Sequence, residues 1–303
     1  MSVNQSGIIN RKNSIFPWYN KINHNIIIMD SPNSQLRQKP MTICIAAISK
    51  DGDDECIVLA TDHMVSLGED IQFEHNIKKY KRINKTTIAL LSGQFLMFDD
   101  LIKLSDENLC YSNIAEEILQ NFKNIRKERI KNEILDRAQI DRDFLLSRLS
   151  ESETSQIMGA LFKQIYEYSL STTIILAGFE GSKAVIGEIS EDGIEHTRDM
   201  FFTTIGIGDI EAHNTLLYQK HNIIDPVRKT IYNVFKAKKH TEHLPGIGKD
   251  TEILILKRDG LTEFTDLEIL EKLFKKENDF GKNHEDLNKI KINRSQEVND
   301  VKK

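Results

Sequence analysis

Among the residues whose type and place could carry chemistry, Thr42 comes first, directly after Met41. A threonine that becomes the first residue of a chain holds a hydroxyl nucleophile and a free α-amine together. An α-amine with a reference pKa of about 7.7–8.0 is partly unprotonated near neutral pH, so it can take up the hydroxyl proton. One residue is then nucleophile and base at once, suited to attack on a carbonyl. Translation from Met41 followed by loss of the initiator methionine, which threonine is small enough to allow, would create that terminus. An internal Thr42 could not act in this way, and taken alone it reads as a β-branched residue opening a strand. Other constellations are weaker. His240-Thr241-Glu242-His243 has two histidines three apart but neither the HExxH pattern nor a third ligand, so it reads as helix-end histidines. Gly206-Ile207-Gly208 and Gly246-Ile247-Gly248 are too short for a dinucleotide fingerprint and lack the context of a phosphate loop. Ser66 is placed where it could line a substrate pocket.

The elements that must position such residues begin at Met41. The 303 residues, 39% hydrophobic and 29% charged, suffice for a real core. A net charge of -5 speaks against a dedicated nucleic-acid binder, which needs a basic surplus to release phosphate counterions. Cys44, Cys56 and Cys110 form no CxxC pair and read as buried thiols of a reducing compartment. The longest apolar runs fall well short of the roughly 18–20 residues of a membrane helix. These features describe a soluble, cytoplasmic protein with no membrane or nucleic-acid partner. Residues 1–41 carry scattered Asn, Ser, Lys and Arg and three of the five prolines, and read as a poorly ordered extension or an upstream mis-start. Residues 42–278 form the domain, and 279–303 a charged, disordered tail.

Within the domain, Thr42–Ser49 and Cys56–Thr61 read as a hairpin, joined by strands at Lys78–Asn84 and Thr86–Leu91 into a four-strand sheet. Helical patterns follow at Phe95–Leu104 and from an N-cap at Ser112, with Arg126–Arg148 a solvated helix plus insertion. Strands at Ser171–Gly178, Lys183–Ser190, Ile194–Asp199 and Phe201–Ile205 read as a second sheet. Helices are expected from Asp209 and from Asp225-Pro226, with Asp225 as N-cap. Thr251–Lys257 is a closing strand, and Thr265–Glu268 is the capping box of a last helix. Runs of strands and runs of helices, without strict alternation, give an α+β fold: a four-layer αββα sandwich of two antiparallel sheets between helix layers.

The segments Thr42 to Ala47, Val58 to Ser66, Lys78 to Ile83 and Leu91-Ser92-Gly93 resemble proteasome β-type subunits and their bacterial relatives, the two-component ATP-dependent protease peptidase and the Anbu group. The resemblance runs from Thr42 to about Gly260. It implies an N-terminal-nucleophile hydrolase in which Thr42 matches the nucleophile, Asp62 the family aspartate, Lys79 the lysine and Gly93 the glycine of the oxyanion hole. Lys78 is the rival for Lys79, but only Lys79 puts Tyr80 and Ile83 on apolar family positions and stands fourteen residues before Gly93. Each role has a physical basis: a cation beside the hydroxyl stabilises an alkoxide, a carboxylate fixes that cation, and a positioned N–H holds the oxyanion.

The resemblance further implies a threonine-type peptidase needing no cofactor or metal, acting on peptide or protein substrates. It implies self-association into rings or a helical stack, and an ATP-dependent unfoldase as partner. Two departures from the family pattern stand out, the first of little consequence and the second weighing against this. The hairpin between Thr42 and Asp62 is about four residues longer than in relatives, an even number that leaves strand facing unchanged. Where active relatives carry a Gly-Ser-Gly element and a later Asp followed by Ser-Gly, this chain has Gly206-Ile207-Gly208 and His243 to Gly248. Methionine rather than glycine before Thr42 also makes self-cleavage inefficient. A silent structural subunit and a hydrolase of small amides are the alternative expectations.

Overall fold

The structure is a computed structural model, and it describes residues 42–67, 71–74, 77–106, 108–140, 143 and 155–280. The expected extension at 1–41 lies outside the described residues, and so does the expected tail at 279–303 apart from Asp279 and Phe280, which end the last helix. Two five-stranded antiparallel sheets make the frame. The first has the order β10-β1-β2-β11-β12, with β1 at Ile43–Asp51, β2 at Asp54–Asp62, β10 at Phe202–Gly206, β11 at Thr251–Lys257 and β12 at Gly260–Phe264. The second has the order β5-β6-β7-β8-β9, with β5 at Tyr80–Arg82, β6 at Ile88–Ser92, β7 at Thr173–Glu180, β8 at Lys183–Ser190 and β9 at Gly193–His196. Between β2 and β5 a small hairpin, β3 (Met64–Leu67) and β4 (Ile71–Glu74), stands apart from both sheets.

Strand alternation distributes the core into layers. Cys44, Ala46 and Ile48 of β1, with Ile57 and Leu59 of β2, meet Ile88, Leu90, Ile175 and Ala177 of the second sheet. The opposite faces, Ile43, Ile45, Ala47, Val58 and Ala60, pack under α4 (Asp209–Tyr218), α5 (Val227–Thr241) and α6 (Leu267–Phe280). On the far side, Leu91, Ile174 and Leu176 lie under α1 (Phe98–Leu101) and α2 (Tyr111–Ile130) through Ile114, Ile118 and Phe122. The α+β fold with two antiparallel sheets between helix layers is therefore the architecture of the chain. Because β1 is buried on both faces, it reads as a continuous apolar run.

That double burial also explains the errors in strand pairing. β1 and β2 do not share a sheet with β5 and β6, and β10 pairs with β1, from Ile43 opposite Gly206 to Ala47 opposite Phe202, not with β7–β9. Runs apolar on both faces carry no label for the sheet they join. Other corrections are local. Cys110, not Ser112, caps α2; the Ser112 hydroxyl bonds Glu180 instead, and Cys110 is exposed rather than buried. Pro226 is the N-cap of α5, and Asp225 accepts from Asn222 N and Lys229. The helix predicted at Phe95–Leu104 is a short turn into α1, and α2 runs on through a π-helical segment at Lys131–Leu135. α3 (Ser155–Glu167), β12 and the β3–β4 hairpin are further elements the sequence reading lacked. Among the described residues, no helix is long and apolar enough to cross a membrane.

Candidate active site

The candidate residues gather at one end of the sandwich, each at a strand terminus. Thr42 enters β1, Asp62 ends β2, Lys79 leads into β5 of the other sheet, and Gly93 leaves β6. The register pairs Cys44 with Thr61 on one side and with Ile205 on the other, which sets Thr42 beside the end of β2. The Thr42 carbonyl accepts from Ile207 N at 3.0 Å, so the strand entrance is anchored on β10 as well. Gly206 is required here: its φ is +112°, and a Cβ would run into the Thr42 carbonyl.

The Thr42 hydroxyl, 3% exposed as a residue, donates to Asp62 Oδ1 at 2.5 Å and accepts from the Lys79 ammonium. Lys79 Nζ also lies 2.7 Å from Asp62 Oδ1. Three groups thus share one buried contact, and Lys79 rather than Lys78 enters it. Lys78 is exposed and reaches Tyr80 Oη, 2.8 Å away. The Asp62 carboxylate is buried and held by three backbone donors: Ile43 N at 3.2 Å on Oδ1, and Gly248 N at 2.9 Å and Met64 N at 3.3 Å on Oδ2. These donors and the Lys79 cation replace the water that the buried carboxylate has lost. Cys44, below the nucleophile, gives its thiol to Leu91 O at 3.4 Å, and burial pushes that thiol up to about 12, which leaves it unreactive.

Gly93 stands at the exit of β6 with φ +131°, where a Cβ would collide with Ser171 O and Thr172. The preceding Ser92 brings its hydroxyl to Gly206, which itself abuts Thr42, so this turn lies at the same end of the sandwich. A second polar group flanks the site. Glu252, opposite Thr61 in the register, accepts from Tyr80 Oη at 2.8 Å and faces His63 Nε2 at 3.5 Å. The Thr61 hydroxyl, His63 Nδ1 and Glu252 Oε2 are buried there without a hydrogen-bond partner.

The chain has a fold already seen in solved structures. It is similar to the Anbu (Gly-1) mutant from Hyphomicrobium sp. strain MC1, with a TM-score of 0.56 at 13% sequence identity, over 84% of this chain and 99% of that one. The fold is the proteasome-like sandwich. No family model matches the sequence, and no curated protein matches it. At that identity the likeness speaks for architecture alone.

Two contributors were missed in the sequence. Gly248 N–H reaches Asp62 from the loop after α5, and Lys238 of α5 holds that loop. Gly206-Ile207-Gly208 and Gly246-Ile247-Gly248 prove to be one packed unit, since a Cβ on Gly208 would strike Ile247 and Thr241. The signal for Lys238 was present: it follows Ile231 and Val234 on the buried stripe of α5, where a lysine has no business unless it is paired. His240 and His243 do not come together on a common ligand position. His240 contacts the Thr215 hydroxyl, and the exposed His243 bonds His240 O. Among the described residues, no cluster of histidine, cysteine and carboxylate side chains could hold a metal ion.

Proposed function

We propose that this chain is a threonine-type amide hydrolase working by N-terminal-nucleophile chemistry, with peptides as substrates. The observation that carries this reading is the Thr42 hydroxyl held between the Asp62 carboxylate and the Lys79 ammonium in a buried contact. While Thr42 is bonded to Met41 its nitrogen is an amide and takes no proton, so the reading requires Thr42 to become the first residue. The freed α-amine then accepts the hydroxyl proton as Oγ1 attacks the scissile carbonyl. Lys79 offsets the charge on the nucleophilic oxygen, and the Gly93 N–H receives the oxyanion of the tetrahedral intermediate. The leaving amine departs with the proton from the α-ammonium, leaving an ester on Thr42. Water, deprotonated by the same amine, cleaves that ester and restores the hydroxyl. Asp62 orients the ammonium and the hydroxyl.

The same reading includes self-association of the sandwich, a cytoplasmic setting, and delivery of unfolded chains by an ATP-dependent partner. The test is a protein prepared with Thr42 as first residue and treated with a β-lactone, which acylates nucleophilic threonines. One adduct on a peptide beginning at Thr42, lost in Thr42→Ala, is the expected result. Mapping the adduct matters because Cys110 is an exposed competing nucleophile. Labelling that survives Thr42→Ala would sink the mechanism. A second reading, a silent structural subunit, is favoured by the absence of the family's serine from Gly206-Ile207-Gly208 and of its aspartate and serine from His243 to Gly248. It predicts no adduct at Thr42 even with a free terminus.

A further inference from the structure

Lys238 is a wholly buried cation that the reaction scheme does not use. Its side chain is 0% exposed, yet it sits on α5 among Ile231, Val234 and Thr241. Its ammonium is fully committed: it donates to Glu242 Oε1 at 2.6 Å, Gly248 O at 2.7 Å and Lys249 O at 2.9 Å. Burial depresses its pKa from the ordinary lysine value, and the Glu242 carboxylate opposes that shift. Placing a lysine where an apolar side chain would serve packing equally well is costly, so the contacts it makes call for a purpose. Two of its three acceptors are carbonyls of the loop after α5, and the residue that offers the first, Gly248, donates its own N–H to Asp62 Oδ2 at 2.9 Å. One residue, Gly248, therefore links the ammonium to the carboxylate that holds Thr42 and Lys79.

We propose that Lys238, balanced by Glu242, is a positioning residue for the nucleophile. It locks the Gly246-Ile247-Gly248 loop so that the Gly248 N–H fixes the orientation of Asp62, and through it the hydroxyl and ammonium of the reacting pair. The ammonium adds fixed polar contacts to a loop whose one apolar anchor is the buried Ile247. The role rests on the amide-hydrolase reading above. Misplacing a reacting group by about 1 Å costs on the order of 100-fold in rate, so a loosened loop has a measurable consequence without any contact between Lys238 and substrate.

The discriminating variant is Lys238→Met, which keeps the length and volume of the buried stem and removes all three donors. A residue that merely fills space would pass this change unnoticed. Two readouts are taken on protein with Thr42 first: amide hydrogen exchange at Gly248, and the rate of β-lactone acylation of Thr42. The expected result is a folded protein in which Gly248 loses protection by tenfold or more while the β1 and β2 amides keep theirs, and in which acylation slows by roughly tenfold or more. Unchanged Gly248 protection, or an acylation rate within twofold of the parent, overturns the proposal. Should Lys238→Met fail to fold, Glu242→Gln decides, because it removes the counter-charge and leaves the helix intact; the same two changes are expected in smaller degree, and their absence overturns the proposal. A parent protein that never acylates at Thr42 would overturn the hydrolase reading and the role with it. A reactive parent with an indifferent Lys238→Met overturns the positioning role alone.

Discussion

Asp62 and Lys79 carry opposite charges at side-chain exposures of 0% and 9%, so each is tolerable only because the other is there. Removing one partner of such a pair leaves a buried charge uncompensated, a loss of about 3–5 kcal/mol. Lys79→Met is therefore expected to destabilise the protein by that amount in urea unfolding. The double change Asp62→Asn with Lys79→Met should recover much of the loss, while both proteins remain inert to acylation at Thr42. A Lys79→Met protein as stable as the parent would show that the pair is not buried as described. At this scale the sequence was informative: Thr42, Asp62 and Lys79 could be named because the resemblance falls on strand ends, where order along the chain survives as order in the site. Lys238 and Gly248 could not be placed, since only tertiary packing brings α5 and its following loop onto the end of β2.

Elements are tied to one another by buried polar contacts whose protonation matters. His221, after α4, donates from Nε2 to Ile48 O of β1 at 2.9 Å, with its ring edge-on to Phe202. Burial lowers its pKa from 6.5, against the Ile48 and Phe201 carbonyls and the Asp225 carboxylate, which raise it, while Lys229 lowers it further. Below about pH 6.5 the unfolded chain takes up a proton that the folded one refuses. The stability that His221 contributes is thus complete above that pH and is lost as pH falls through the folded value. Chemical denaturation between pH 7 and pH 5 should show the parent losing stability relative to His221→Gln, which keeps a donor for Ile48 O and does not titrate; parallel curves would refute this. The elements themselves were mostly legible, since hydrophobic runs and turns mark where strands begin and end. Their partners were not. β1 is buried on both faces and has no alternation from which to tell that β10, some 150 residues downstream, is its neighbour. α3 received no reading in the sequence, because its apolar residues serve a small satellite cluster around Leu135 and Leu161.

For the whole molecule, the proteasome-like sandwich explains why the site lies where it does. Both sheets present strand ends at the same edge, so residues far apart in the chain converge there. Architecture of this kind was readable from the order of strand runs and helix runs alone, since few layered arrangements satisfy it. What architecture does not supply is the state of Thr42, and the account depends on it: a hydroxyl clamped between a carboxylate and an ammonium becomes a self-sufficient nucleophile only with a free α-amine on the same residue. The most direct measurement is the intact mass and N-terminal sequence of the protein purified from its native host. The account predicts a mature chain whose first residue is Thr42. A chain in which Thr42 remains bonded to Met41 throughout would contradict it.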